Sequence, residues 1–101
     1  MNYQKKRIQN MNRQTQNMVK ISEVVCKTLT IETISFEEDL IDSGLLDSLS
    51  LVQLMVALED EFNIRIEPED FDFEDYRSVK SMSEMIARVS LLHPISASAN
   101  G

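Results

Sequence analysis

A chain of 101 residues, 43% of them hydrophobic, is long enough for one compact domain with a single core and too short for two. Seventeen acids against ten bases give a net charge of -7, which argues against a nucleic-acid or anionic-lipid surface and for partners with basic faces. A single cysteine excludes an internal disulfide, and no apolar run reaches the roughly 18 to 20 residues of a membrane span.

The charge is unevenly spread. Residues 1–20 carry Lys5, Lys6, Arg7, Arg13 and Lys20 and no acid, whereas residues 21–101 carry all the acids. The early bases are followed by Asn and Gln instead of the apolar stretch of a secretory signal, so a cytoplasmic protein is expected. Residues 1–15 offer too little apolar surface to offset ordering entropy and are expected to form a disordered or weakly helical extension. The folded domain is expected over 16–93, with a mobile tail over 94–101.

From about Thr15 to Thr30, Met18, Ile21, Val24, Val25 and Leu29 recur at spacings of three and four, which predicts a first amphipathic helix. Cys26 lies in this apolar stretch and is expected to be a small buried thiol. A β-branched cluster then opens a long loop, roughly 31–47, in which Ile34, Phe36, Leu40, Ile41, Leu45 and Leu46 are apolar anchors. Gly44 suits a left-handed turn there.

The loop hands over to a second helix, expected from Ser48 to near Asn63. Ser48 can cap that helix, or it can be an attachment point held out to solvent at a helix N-terminus. Leu51, Leu54, Met55, Leu58 and Phe62 fall on one face and should join the core. Leu49, Val52 and Val56 form a second stripe beside Gln53, Glu59 and Asp60. That stripe is either a partner surface or a second buried side, and periodicity leaves both open.

Ile64 and Ile66 alternate with polar residues but lack a second strand, so they belong to a connection. Pro68 and the acids after it predict a brief third helix over about Pro68–Tyr76, with Phe71 and one of Phe73 or Tyr76 turned inward. Ser78 is expected to cap a fourth helix carrying Val79, Met82, Met85, Ile86, Val89 and Leu92. His93 would end it, where a cation favours the dipole. The expected fold is therefore all-α: a small four-helix bundle with three longer helices, one short third helix and a long loop between the first two.

The run from Asp70 to Asp75 lacks the glycine and terminal glutamate of an EF-hand, and a lone cysteine and histidine make no zinc or nucleophilic site. With no catalytic constellation, the domain is expected to be no enzyme and to work by being bound or by carrying something. In the binding alternative it is an acidic helical adaptor that uses the second-helix stripe without a cofactor.

Gly44-Leu45-Leu46-Asp47-Ser48-Leu49, followed by Val52 to Phe62 and Ile64 to Asp70, resembles the acyl carrier protein family around its phosphopantetheine attachment site, with the match running from about Met18 to Leu92. The resemblance implies that a phosphopantetheinyl transferase modifies Ser48 to give a covalent 4'-phosphopantetheine arm, with Asp47 and Leu49 helping to form the site. It implies that the arm carries acyl or aminoacyl groups as thioesters, loaded by one enzyme and consumed by downstream transferases or synthases. Leu49, Val52, Gln53 and Val56 would meet partner enzymes, and Glu59 and Asp60 would pair with their basic rims. Leu51, Leu54, Leu58, Phe62, Ile66 and Phe71 would line the core. A monomer without membrane insertion is expected. Gln53 stands where fatty-acid carriers commonly have an acid, so the cargo stays open between fatty-acyl, polyketide, aminoacyl and D-alanyl groups.

Overall fold

Apolar periodicity becomes three α-helices in the computed structural model, which describes residues 12–92. They are α1 (Arg13–Leu29), α2 (Ser48–Phe62) and α3 (Val79–Leu92), with no strand among the described residues. Helix α1 packs against both α2 and α3. Ile21 and Val25 of α1, Leu51, Leu54 and Leu58 of α2, and Val79, Met82, Met85, Ile86 and Val89 of α3 form the buried core. Each fully buried aliphatic side chain contributes about 1.5–3 kcal/mol of transfer free energy. This core therefore fixes the phase of all three helices.

Helix α1 starts earlier than its apolar pattern suggests. The Asn12 side chain accepts the Thr15 N–H at 2.7 Å, and the helix begins at Arg13. Residues 1–11, His93 and the 94–101 tail lie outside the described residues. The helix ends on Thr30 in the left-handed region (φ 58), with its N–H bonded to the Cys26 carbonyl. Cys26 itself is half-buried and not enclosed.

Between α1 and α2 the chain is tied down by its anchors. Leu40 and Leu46 are buried, Ile34 and Phe36 pack against the core, and Leu45 is exposed, contrary to its expected anchoring role. Leu46 N–H donates to the Leu40 carbonyl at 3.0 Å, closing a loop whose reversal needs Gly44 at φ +81. Lys80 N–H donates to the Phe36 carbonyl at 2.9 Å and joins the segment to α3.

The expected third helix is instead two separate 3-10 turns, Pro68–Asp70 and Phe73–Tyr76. Phe71 and Asp72 between them are extended (φ -76, ψ 132 and φ -140, ψ 120), which breaks any continuous helical ladder. The short Asp72 side chain caps the second turn by accepting the Glu74 N–H at 3.0 Å. Phe71 and Phe73 are consequently exposed, and Tyr76 takes the inward position that Phe71 was expected to fill. The Phe71 ring lies across Tyr76 with centroids 5.8 Å apart. Ile64 and Ile66 are buried in the connection before these turns.

Candidate functional site

The start of α2 shows which residue caps it. Asp47, in extended geometry, is the residue that caps the helix: its Oδ1 accepts the Ser50 N–H at 2.8 Å, and its carbonyl accepts the Leu51 N–H at 2.8 Å. Ser48 is therefore the first helical residue, not the cap. It is exposed, beside the positive end of the helix dipole. Of the two roles open to Ser48, capping falls to the adjacent aspartate, one residue earlier.

The Asp47 carboxyl is held below the usual carboxylate range, chiefly by the Ser50 N–H, so the site presents an ionised acid next to a hydroxyl. An exposed serine at this place fits a covalently attached phosphate, since helix N-termini favour anions. Among the described residues, no group of three or more His, Cys, Asp or Glu side chains is arranged to hold a metal.

Beyond Ser48, α2 presents two faces. Leu51, Leu54 and Leu58 are buried, while Leu49, Val52 and Val56 are 69%, 56% and 54% exposed. The second stripe is thus an open apolar surface, not a second buried side. Met55 and Phe62 sit half-buried at the edge of the core. Gln53 and Asp60 are exposed, whereas Glu59 is half-buried and its Oε2 accepts the Ile66 N–H at 2.8 Å. One oxygen of Glu59 is thereby committed to holding the connection after α2.

Arg77, which no local motif singles out, faces the loop before Ser48. Its guanidinium contacts Glu74 through two nitrogens, at 2.7 and 3.0 Å, and Asp39 through a third at 2.8 Å, with Asp42 at 3.4 Å. Its carbonyl accepts the Leu40 N–H at 2.7 Å. Hydrogen bonding from the Asp42 N–H, with help from Arg77, holds the Asp39 carboxyl below its ordinary value, and Arg77 does the same for Glu74.

Residues 19–86 match the family described as the phosphopantetheine attachment site. The chain is 33% identical over 67 residues to a D-alanyl carrier protein of Streptococcus sanguinis (strain SK36), covering 64% of this chain and 85% of that protein. It is 35% identical over 71 residues to a D-alanyl carrier protein of Streptococcus suis (strain 05ZYH33), covering 68% and 87%. To the D-alanyl carrier protein of Streptococcus uberis (strain ATCC BAA-854 / 0140J) it is 44% identical over 48 residues, covering 48% and 61%. With the matched family spanning most of its helical core, the chain belongs to the carrier proteins that bear a covalent phosphopantetheine arm and act with the enzymes that modify and load them.

Proposed function

We propose that Ser48 is the attachment point and that the protein carries D-alanyl groups, or a closely similar aminoacyl cargo, between a loading enzyme and an acceptor enzyme. The observation that carries the first part is the cap: Asp47 takes the helix-starting hydrogen bond and leaves an exposed serine hydroxyl beside it. In the attachment step Ser48 Oγ attacks the pyrophosphate of coenzyme A and forms the Oγ–P bond. Adenosine bisphosphate leaves, and the serine proton passes to a base of the transferase. Bound there, the arm supplies a terminal thiol that holds the cargo as a thioester, so the chain needs no reactive cysteine of its own.

The chain's own residues then present the cargo. Asp47 keeps the first turn of α2 formed and, as an anion, turns a neighbouring phosphodiester outward. Leu49, Val52 and Val56 give partner enzymes an apolar contact, and Gln53, Asp60 and the free oxygen of Glu59 give it a polar border. Exposed charges of this kind mainly steer encounter and orientation, which suits a carrier that must release each partner. The chain is a non-catalytic monomer in this reading, working in the cytoplasm where coenzyme A is available.

The cargo rests on the matched D-alanyl carrier proteins, which are 33% and 35% identical over most of their length. A cofactor-free adaptor is disfavoured by the match to the phosphopantetheine attachment family. The test is intact-mass spectrometry after incubation with coenzyme A and a broad-specificity transferase, then with ATP, D-alanine and a D-alanine-adenylating enzyme. Wild type should gain the arm and then an alanyl group, and Ser48→Ala should gain neither. A folded wild type that gains no arm would sink the Ser48 assignment, and an armed protein that accepts fatty-acyl groups but no D-alanine would sink the cargo.

A further inference from the structure

Arg77 holds the segment before α2 with both its side chain and its main chain. The guanidinium forks onto Glu74 within its own turn and reaches Asp39, 38 residues away in sequence, at 2.8 Å. The Arg77 carbonyl accepts the N–H of the next loop residue, Leu40. From that point hydrogen bonds within the turn lead up to the start of α2. Asp39 Oδ1 accepts the Ile41 and Asp42 N–H groups at 3.1 and 2.8 Å, Leu46 N–H donates to the Leu40 carbonyl, and Asp47, the next residue, caps the helix.

We propose that Arg77 is a positioning residue: its guanidinium clamps the 39–46 turn so that Asp47 and Ser48 meet the modifying and loading enzymes in one geometry. The proposal rests on Ser48 being the attachment point.

Two features separate this role from general stabilisation. Exposed or partly exposed ion pairs contribute little to global stability, and the Arg77 side chain is 33% exposed. The buried core is made of apolar side chains such as Ile21, Leu54, Leu58 and Met82, and the Arg77 guanidinium is not among them. What Arg77 does govern is local. Without it, Asp39, Asp42 and Glu74 become three adjacent uncompensated carboxylates that push the turn away from residue 77. A lysine could neutralise charge there, but its single ammonium cannot reproduce the planar fork that grips Glu74 while reaching Asp39.

A released turn would leave the attachment serine correctly presented in only a fraction of molecules. Apparent affinity then falls by that fraction, while the chemical step, once the enzyme is engaged, is unchanged. For the full chain with transferase and coenzyme A, Arg77→Gln should therefore raise KM for the carrier about three- to tenfold with kcat within about twofold, and Arg77→Lys should recover part of that loss. In the unmodified protein, Arg77→Gln should speed amide hydrogen exchange at Ile41, Asp42 and Leu46 and leave Leu54 and Leu58 as in wild type.

Unchanged KM in Arg77→Gln would overturn the proposal, as would equally accelerated exchange through α2 and α3. If Arg77→Gln does not fold, Asp39→Asn weakens the same contact from the loop side, and a wild-type KM in that variant would overturn it. If wild type takes up no arm, the Ser48 assignment falls. The exchange measurement, which needs no attachment, then decides separately whether Arg77 clamps the turn.

Discussion

Two serines stand at the starts of two helices, and they are used in opposite ways. Ser78 precedes α3, is buried, accepts the Ser81 N–H at 3.0 Å and shares a hydrogen bond with the Ser81 hydroxyl, also at 3.0 Å. Ser48 stands one residue inside α2, exposed, with its capping role taken by Asp47. One residue of register relative to the cap thus separates a hydroxyl consumed by the fold from one available for chemistry. The contrast also shows why a serine near a helix start is by itself an ambiguous signal.

Removing each hydroxyl in turn should have opposite consequences. Ser48→Ala should abolish attachment while changing stability by less than about 0.5 kcal/mol, because it removes no cap. Ser78→Ala should cost about 1 kcal/mol in denaturant unfolding and still take up the arm, because it removes a cap and not the attachment hydroxyl. A Ser48→Ala variant destabilised as much as Ser78→Ala would mean that both serines are structural.

The two faces of α2 sharpen the same point. Leu58 is fully buried, so Leu58→Ala should destabilise by about 2–5 kcal/mol. Val56 is exposed, so Val56→Asp should leave unfolding within about 0.5 kcal/mol of wild type and raise the loading enzyme's KM. Loading kinetics that stay at wild type in Val56→Asp would remove the stripe from the partner surface.

The smallest expected effect concerns the cap itself. Asp47 has a lowered carboxyl pKa, so its contribution is complete above the unfolded carboxylate range of about pH 4 and is lost as pH falls through its folded value. Asp39 and Glu74 act in the same direction, while Asp75, raised by burial, acts in the opposite one. Asp47→Asn retains a good capping side chain, so its Tm at pH 7 should stay close to wild type and fall less on acidification below about pH 4. An identical acid response in the two proteins would show that the Asp47 charge is not coupled to folding.

Much of this arrangement is legible in the residues. The phase of Leu51, Leu54 and Leu58, the left-handed Gly44 and the Ser78 cap all follow from local chemistry, and the structure agrees with each. Identification of the cap does not follow, because aspartate and serine are nearly equal as N-caps and stand side by side. The Pro68–Tyr76 segment also misleads: a proline followed by acids suits a helix start, but Phe71 and Asp72 turn extended and expose the ring expected inside. Asn12 carried a capping signal that the polar composition around it concealed. Arg77 could not be found from the sequence, since its loop partners Asp39 and Asp42 lie far off along the chain and only folding brings them together.

Fragment-ion mapping of the modified protein identifies which hydroxyl takes the arm. After incubation with coenzyme A and transferase, the added phosphopantetheine should map to Ser48 alone. Its appearance on Ser43 or Ser50 instead, or its absence from a folded protein, would contradict the account.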